Sequence, residues 1–487
     1  MKNIINYFNE IIITNLNKQV ENLITHPDQL PEFIFAVRDN VLSLGVEMVK
    51  ETLESLDKEI QDSFVRKQSW IVEAHRSKEL ITSLGTVKFR KTLYQNKSTG
   101  KYKYLLDEIL GLEANKRMTD DALALMLKEA VQTSYRRGGE MASISTEVSK
   151  QTVKNKMHTL DIPEVEKKVE HKKVVEYLYI DADEDHVSLQ FRETKGDLLT
   201  GDNNVKNNCL ITKLAYVYEG VESESPKSKR NTLINPYFFA SVSAKETNKD
   251  FWERIYKYID NNYEVDKIKK IYVNSDGGLW IKEGIKHIHK FTHVLDEFHL
   301  EKYITKLTSH MKDSVYDAKK ELRDVIRNHT KADFISVVDR LRDCLENETG
   351  NERINNAANY ILSNWNAAKL RMKHKEGVVG SSTEGHVSHI LSDRMSSRPM
   401  GWSILGADVM ASLRVYEKNG GDMLELVRYQ KKELSMAAGA ECTIISSSKM
   451  RNIYNHGELG KYSDAISHSL CSSNTNIIHI SHYLSNL

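Results

Sequence analysis

Two short runs of β-branched and aromatic residues, each closing on an aspartate, constrain this chain more than anything else in it. The first is Val174–Ile180, VVEYLYI, followed at once by Asp181, Asp183 and Asp185 in the segment YLYIDADEDHV. The second is Ile271–Val273 within KKIYVNSDGGLW, which closes on Asp276. Runs of this composition read as strands bounded by turn signals. Side chains alternate along a strand, so Asp181 and Asp183 share a face and either can point into a site. The glycine pair after Asp276 lets the backbone turn sharply into a helix. The aspartate then stays at the C-terminal edge of the sheet, where α/β folds bind their ligands. Far downstream, GSSTEGHVSHILSDRM places Glu384 in an expected helix.

At 487 residues the chain has room for about two to four domains. Its 69 basic and 68 acidic residues leave a net charge of +1. That balance gives no global pull toward nucleic acid, although local clusters still set the field near a surface. A mean hydropathy of −0.51 and only six prolines suit a soluble, helix-rich protein. No run approaches the roughly 18 apolar residues of a membrane span, so no membrane partner is expected. The N-terminal MKNIINYFNEIIITNLNKQV lacks the apolar core and cleavage site of a secretory signal and is spaced as an amphipathic helix. The four cysteines, Cys209, Cys344, Cys442 and Cys471, form no CxxC pair. Neither a disulfide scaffold nor a cysteine–zinc site is expected, and a cytoplasmic location is the default.

Along the chain the pattern changes several times. Residues 1–80 read as helices. Residues 81–165 read as a basic β-hairpin, over about 85–106, followed by helices that suggest a helix-turn-helix. The hairpin carries Lys88, Arg90, Lys91, Lys97, Lys101 and Lys103, which equally suit a solvated face. The second helix of the pair starts at Ser149 and exposes Lys150, Gln151, Lys154 and Asn155, residue types that reach bases and phosphates. A generic helical hairpin has the same outline. Residues 170–296 are strand-rich, with an expected antiparallel meander and then helix-linked strands that extend the sheet. Residues 297–375 read as an all-helical block. Residues 376–445 carry Glu384, and 446–487 form a polar tail.

The acidic segments admit other readings. As a calcium loop, DADED would need glycine at its sixth position and glutamate at its twelfth. It has His186 and Arg192 there, between strands, so that reading fails. A plain acidic turn between two strands remains open. In LDEFHLEKY, Asp296 suits a helix cap with His299 one turn in. The histidines 287, 289, 293 and 299 cross a strand-to-helix boundary without a thiolate, which disfavours zinc. Arg394 and Arg398 have the chemistry to contact phosphate. Carboxylates delivered to one sheet edge from separate segments are how a protein holds two hard cations for phosphodiester chemistry.

The order Asp, Asp, DxxH, helical block, Glu resembles the DDE transposases of bacterial insertion sequences, in particular the ISLre family, and more distantly the Mutator-like transposases. The resemblance runs from roughly residue 70 to 430. It rests on YIDADEDHVSLQ, VNSDGGLWIK, HVLDEFHLEKYI and SSTEGHVSHILSDRMSSRPMGWS taken together; the segment past about residue 440 matches least. It implies an α/β, ribonuclease-H-like mixed sheet with an all-helical insertion, preceded by a mainly helical DNA-binding region. The wider superfamily follows its first aspartate with a polar stretch and a histidine. That pattern carries the first catalytic role to Asp183, with Asp181 in reserve, the second to Asp276 and the last to Glu384. Asp296, His299 and Arg394 become accessory. Two Mg2+ ions are implied, with Mn2+ able to substitute. The implied partners are double-stranded DNA, as terminal inverted repeats and target, and further copies of the chain on that DNA, in a nucleoid-associated setting. A ribonuclease-H-like nuclease without strand transfer, or a non-catalytic DNA-binding remnant, would share much of this outline.

Overall fold

The computed structural model describes residues 6–437, save 114, 168–170, 191–198, 201–205, 208, 229, 346–348, 375–376, 381–382 and 399. The expected polar tail, Cys442 and Cys471 therefore lie outside the described residues. The chain divides into two compact units. One takes the residues up to Lys156 together with the segment from Met423, and the other runs from Met157 to Asp422.

In the first unit, α1 (Ile13–Thr25) and the long α2 (Leu30–Asp62) confirm the helical start. The helical reading of residues 1–80 fails from Trp70 onward. There the chain forms β1 (Trp70–Thr82), paired antiparallel with β2 (Gly85–Asn96) from Trp70↔Asn96 to Thr82↔Gly85, with a register shift at Glu73. The sequence WIVEAHRSKELIT hides this strand. Its charges suit a solvent-facing helix as well as an open sheet face, and only the partner strand decides. Val87 and Phe89 alternate inward on β2 and join Ile60, Trp70, Leu80 and Tyr94 in a core. β3 (Tyr102–Lys103) adds the short arm of the expected hairpin. The basic face is partly neutralised. Asp107, in α3 (Leu105–Leu110), pairs with both Lys78 and Lys91, and Lys103 meets Glu108.

Next come α4 (Asp120–Gln132), α5 (Tyr135–Met141) and α6 (Lys150–His158). Ser134 caps α5 by accepting from the Arg137 amide, and Ser149 Oγ accepts from the Thr152 amide at the start of α6. Gly139 is required where it stands, because a Cβ there would come within 1.9 Å of the Val148 carbonyl oxygen. The short turn between α5 and α6 depends on that close approach. Val153 and Met157 are buried, whereas Lys150, Gln151 and Asn155 are exposed and Lys154 is half-buried. Gln151 Nε2 donates to Asn155 Oδ1 at 2.8 Å.

The second unit is built on a mixed five-stranded sheet. Its strands are β4 (Tyr177–Ser188), β5 (Cys209–Tyr218), β6 (Tyr237–Val242), β7 (Lys270–Ser275) and β8 (Phe291–Leu295), in spatial order β6-β5-β4-β7-β8. β4, β5 and β6 form the antiparallel meander, and β7 and β8 run parallel to β4. Between β6 and β7, α7 (Asn248–Asn262) opens on a Thr247 cap and lays Phe251, Trp252, Ile255 and Ile259 against Ile180, Val217 and Val273 of the sheet. The expected helical block is present as α8 (Glu297–Thr308), α9 (Val315–Asn328), α10 (Lys331–Asp343), α11 (Thr349–Ser363) and α12 (Trp365–Lys373), with its own core around Leu300, Leu322, Phe334 and Ile361. α13 (Thr383–Val387) and α14 (Ile404–Lys418) follow. Among the described residues no helix is long and apolar enough to cross a membrane.

Candidate active site

The acidic run is not a turn. β4 continues through it, and Asp181, Asp183 and Asp185 pair across to Tyr216, Leu214 and Thr212 of β5. The reading of two strands joined by an acidic loop is corrected. Hydrogen bonding to the neighbouring strand outweighs the low strand preference of a run of aspartates. Both Asp181 and Asp183 are buried.

Their surroundings differ. Asp181 is saturated. It accepts from the Tyr216 hydroxyl at 2.8 Å, the Tyr218 hydroxyl at 3.0 Å and Asn274 Nδ2 at 2.6 Å, with Thr383 Oγ1 at 3.4 Å. Asn274 in turn accepts from Arg371, a buried guanidinium that also holds the carbonyls of Leu295 and Val379. A buried carboxylate with this many donors is a structural anchor. Among the described residues Asp183 accepts a single hydrogen bond, from the Glu184 amide at 2.9 Å. Burial pushes its carboxyl up to about 7, and the Asp276 and Glu384 carboxylates push the same way, while His299 opposes them.

Asp276 follows β7 directly, at the C-terminal edge of the sheet as its sequence context implied. Its Oδ1 accepts from the Gly278 amide at 2.9 Å, and its carbonyl accepts from the Tyr360 hydroxyl at 2.6 Å. Gly277 sits at φ 86°, and a Cβ there would meet the Asn364 amide at 2.4 Å. The turn that presents Asp276 is thus clamped by α11 and the residue after it. Asp296 follows β8 and caps α8. Its Oδ2 accepts from the His299 amide at 3.0 Å and lies 3.1 Å from Nδ1 of the same residue. That contact first, and then the charges of Asp296, Asp183 and Asp276, hold the His299 imidazole above its ordinary range.

Glu384 lies in the first turn of α13, beside Thr383, which reaches Asp181. On the same short helix, the His386 ring packs 4.7 Å from that of Tyr216, with Nδ1 3.2 Å from its hydroxyl. Arg394 differs from expectation. It is buried with its guanidinium 5.0 Å from the Trp402 ring, so it braces its own segment instead of offering a free cation to phosphate. His293 is bonded to Ser275 Oγ at 2.9 Å, which accounts for it without zinc.

Asp183 thus lies within electrostatic reach of Asp276, Glu384 and His299, which come from three other elements. Among the described residues, no three or more His, Cys, Asp or Glu side chains are gathered tightly enough to hold a metal ion as they stand. The donor chemistry nevertheless suits a hard cation. Carboxylate oxygens supply it, and one of them carries a charge that burial and its neighbours disfavour. The residues missed in sequence are Asn274, Tyr216, Tyr218 and Arg371. None belongs to a local motif, and only the folded sheet brings them to Asp181.

Residues 25–433 match the model described as Uncharacterised protein family (UPF0236). The chain belongs to that family. A UPF0236 protein of Caldanaerobacter subterraneus subsp. tengcongensis is 35% identical over 89% of this chain and 87% of its own length. The UPF0236 protein in the vanSb 3′ region of Streptococcus gallolyticus is 24% identical, covering 84% of this chain and 86% of its own. Among solved structures, the Drosophila P element transposase strand transfer complex aligns with 78% of this UPF0236 chain and 93% of its own at 11% identity. Its TM-score is 0.22, too low to carry an argument.

Proposed function

We propose that this UPF0236 protein is a DDE transposase of ISLre type. It would bind the terminal inverted repeats of an insertion sequence, cleave there and join the freed ends to target DNA. The observation that carries the reading is Asp183. It is a carboxylate buried in the centre of a sheet, with its proton affinity raised by burial and by Asp276 and Glu384 from distant segments. An acid perturbed by burial together with specific charge partners is a candidate for a functional site. The mixed sheet, with a helical block before the last carboxylate, supports the ribonuclease-H-like reading. Multiplicity among relatives supports mobility: a UPF0236 protein 34% identical to this chain is named for eleven loci of one genome, as expected of a mobile gene.

Asp183, Asp276 and Glu384 would hold two Mg2+ or Mn2+ ions, drawing closer than they now stand. Such ions, when bound, make a water nucleophilic near neutrality and stabilise the leaving 3′ oxygen. The chain's own residues prepare the rest. The Gly278 amide and the Tyr360 hydroxyl fix the aspartate turn. Asp296 orients His299, leaving its other ring nitrogen to donate to a phosphate oxygen or a metal-bound carboxylate. The surface of α6 supplies Gln151 and Asn155 for bases and Lys150 and Lys154 for phosphates. The test is an assay of cleaved and joined products on duplexes carrying the element's ends, in magnesium. Joined products support the transposase. Cleavage without joining would indicate a nuclease, and binding alone a non-catalytic remnant.

A further inference from the structure

We propose that α8 carries a track for a DNA strand leaving the candidate active site, with Phe298 stacking on an unpaired base and Lys302 and Lys306 meeting phosphates. The inference rests on reading the acidic site as a DNA-processing centre and names where on the protein the processed strand lies.

Phe298 is the second residue of α8 and is 55% exposed. Its ring stands edge-on to the His299 imidazole, centroids 5.4 Å apart; His299 Nδ1 lies 3.1 Å from Asp296 Oδ2, and the Asp296 amide donates at 2.8 Å to the carbonyl of Ser275, the residue before Asp276. The exposed ring is therefore next to the acidic site. A second exposed apolar side chain, Leu279 at 86%, lies three residues after Asp276. Holding large apolar groups in water beside a charged centre is unfavourable, unless a ligand with apolar faces covers them. Nucleic-acid bases have such faces, and aromatic rings are the usual platform for them.

The rest of the track is cationic. Residues 298, 302 and 306 fall on one row of a helix, since neighbours four apart share a face. Lys302 Nζ lies 5.8 Å from the Phe298 ring centroid, and Lys306 Nζ lies 4.5 Å from that of Tyr303. Among the described residues neither lysine makes an ion pair. Arg323 of α9 shows the contrast: it is tied to Glu301 of α8 at 2.6 Å. Four residues of helix rise about 6 Å, close to the step between successive phosphates of an extended strand. Lys306 opens onto a cavity of about 360 Å³ between α8 and α11, which Arg353 and Asn356 also line, with one carboxylate, Glu352. Its Tyr303 wall stacks at 3.7 Å on Tyr360, the residue whose hydroxyl holds the Asp276 carbonyl. An aromatic ring, two lysines that make no ion pair among the described residues and an open groove thus continue outward from the residues that fix Asp276.

The test uses the full chain in magnesium-free buffer and reads equilibrium binding by fluorescence anisotropy. The probes are an element-end duplex with a single-stranded 3′ overhang and the same duplex made blunt. Phe298→Ala should weaken overhang binding about tenfold with little change on blunt DNA, and Phe298→Trp should restore it. The Lys302→Ala/Lys306→Ala double variant should weaken both probes and lower the slope of log affinity against log salt by about two. All these side chains are exposed or half-buried, so thermal unfolding should stay near that of the parent. Equal overhang binding by Phe298→Ala and the parent, or an unchanged salt slope in the double variant, overturns the track. Cleavage by Asp276→Asn overturns the chemistry instead and leaves these binding results standing.

Discussion

Arg371 and Asn274 lie 97 residues apart and meet in the core of the second unit, where Arg371 Nη2 donates to Asn274 Oδ1 at 2.7 Å. Asn274 passes the connection to Asp181 at 2.6 Å. The helical block, the strand that delivers Asp276 and the strand that delivers Asp183 are joined by this one polar chain.

The two neighbouring aspartates should therefore respond oppositely to substitution. Asp181→Ala removes the carboxylate that accepts from the hydroxyls of Tyr216 and Tyr218 and from the Asn274 amide. The Tyr216 hydroxyl keeps the His386 ring nitrogen at 3.2 Å and the Asn274 amide keeps the Tyr218 oxygen at 3.3 Å, so at about 1–3 kcal/mol for a buried group left unsatisfied the variant should be destabilised by roughly 1–3 kcal/mol. Asp183→Asn removes a carboxylate whose raised pKa makes it destabilising above its unfolded value, increasingly so as the pH climbs through about 7. In metal-free buffer at mildly alkaline pH it should keep or gain stability, by about 1 kcal/mol or more, while losing all cleavage. Denaturant unfolding of both variants checks the contrast. Equal destabilisation by the two would reverse the roles assigned to them.

How legible was this in the sequence? The runs YLYI and IYVNS, the helical block, the Asp296 cap and the helix holding Glu384 all follow from local periodicity and turn chemistry. β1 was lost because Glu73, Arg76, Lys78 and Glu79 make its pattern equally helical, and the pairing that resolves it is non-local. Asp181 and Asp183 looked interchangeable because they share a face. What separates them is contributed by β5, β7, α12 and α13, from 31 to 202 residues away in sequence.

His299→Ala should slow cleavage strongly while changing stability no more than an ordinary surface substitution. The His299 amide still donates to Asp296 in the variant, so the cap survives. Single-turnover cleavage rates beside thermal unfolding separate the two effects. A stability loss large enough to account for the lost activity would make His299 a packing residue.

On α6, Gln151→Ala with Asn155→Ala should reduce preference for terminal repeats over random DNA. Lys150→Ala with Lys154→Ala should weaken both alike and flatten the salt dependence. Competition binding measures each. Full specificity in the first double variant would move base recognition off this helix.

Burial holds His293 down to about 4, from an ordinary 6.5. Between those values the unfolded chain binds the proton and the fold resists it. Stability should be fully present above about pH 6.5 and fall as the pH drops toward 4, with this residue contributing no more than about 3 kcal/mol. His293→Gln should flatten that part of the profile in pH-dependent unfolding. An unchanged slope would show that the histidine is not the group responsible.

The central claim is that carboxylates from separate segments act together on DNA, and Asp276→Asn tests it most directly. The amide keeps the size of the side chain but removes the anionic ligand a hard cation needs. With element-end duplexes in magnesium, the parent should give cleaved and joined products. The variant should bind the same DNA with unchanged affinity and give neither product. Cleavage by Asp276→Asn at the parental rate would contradict the account.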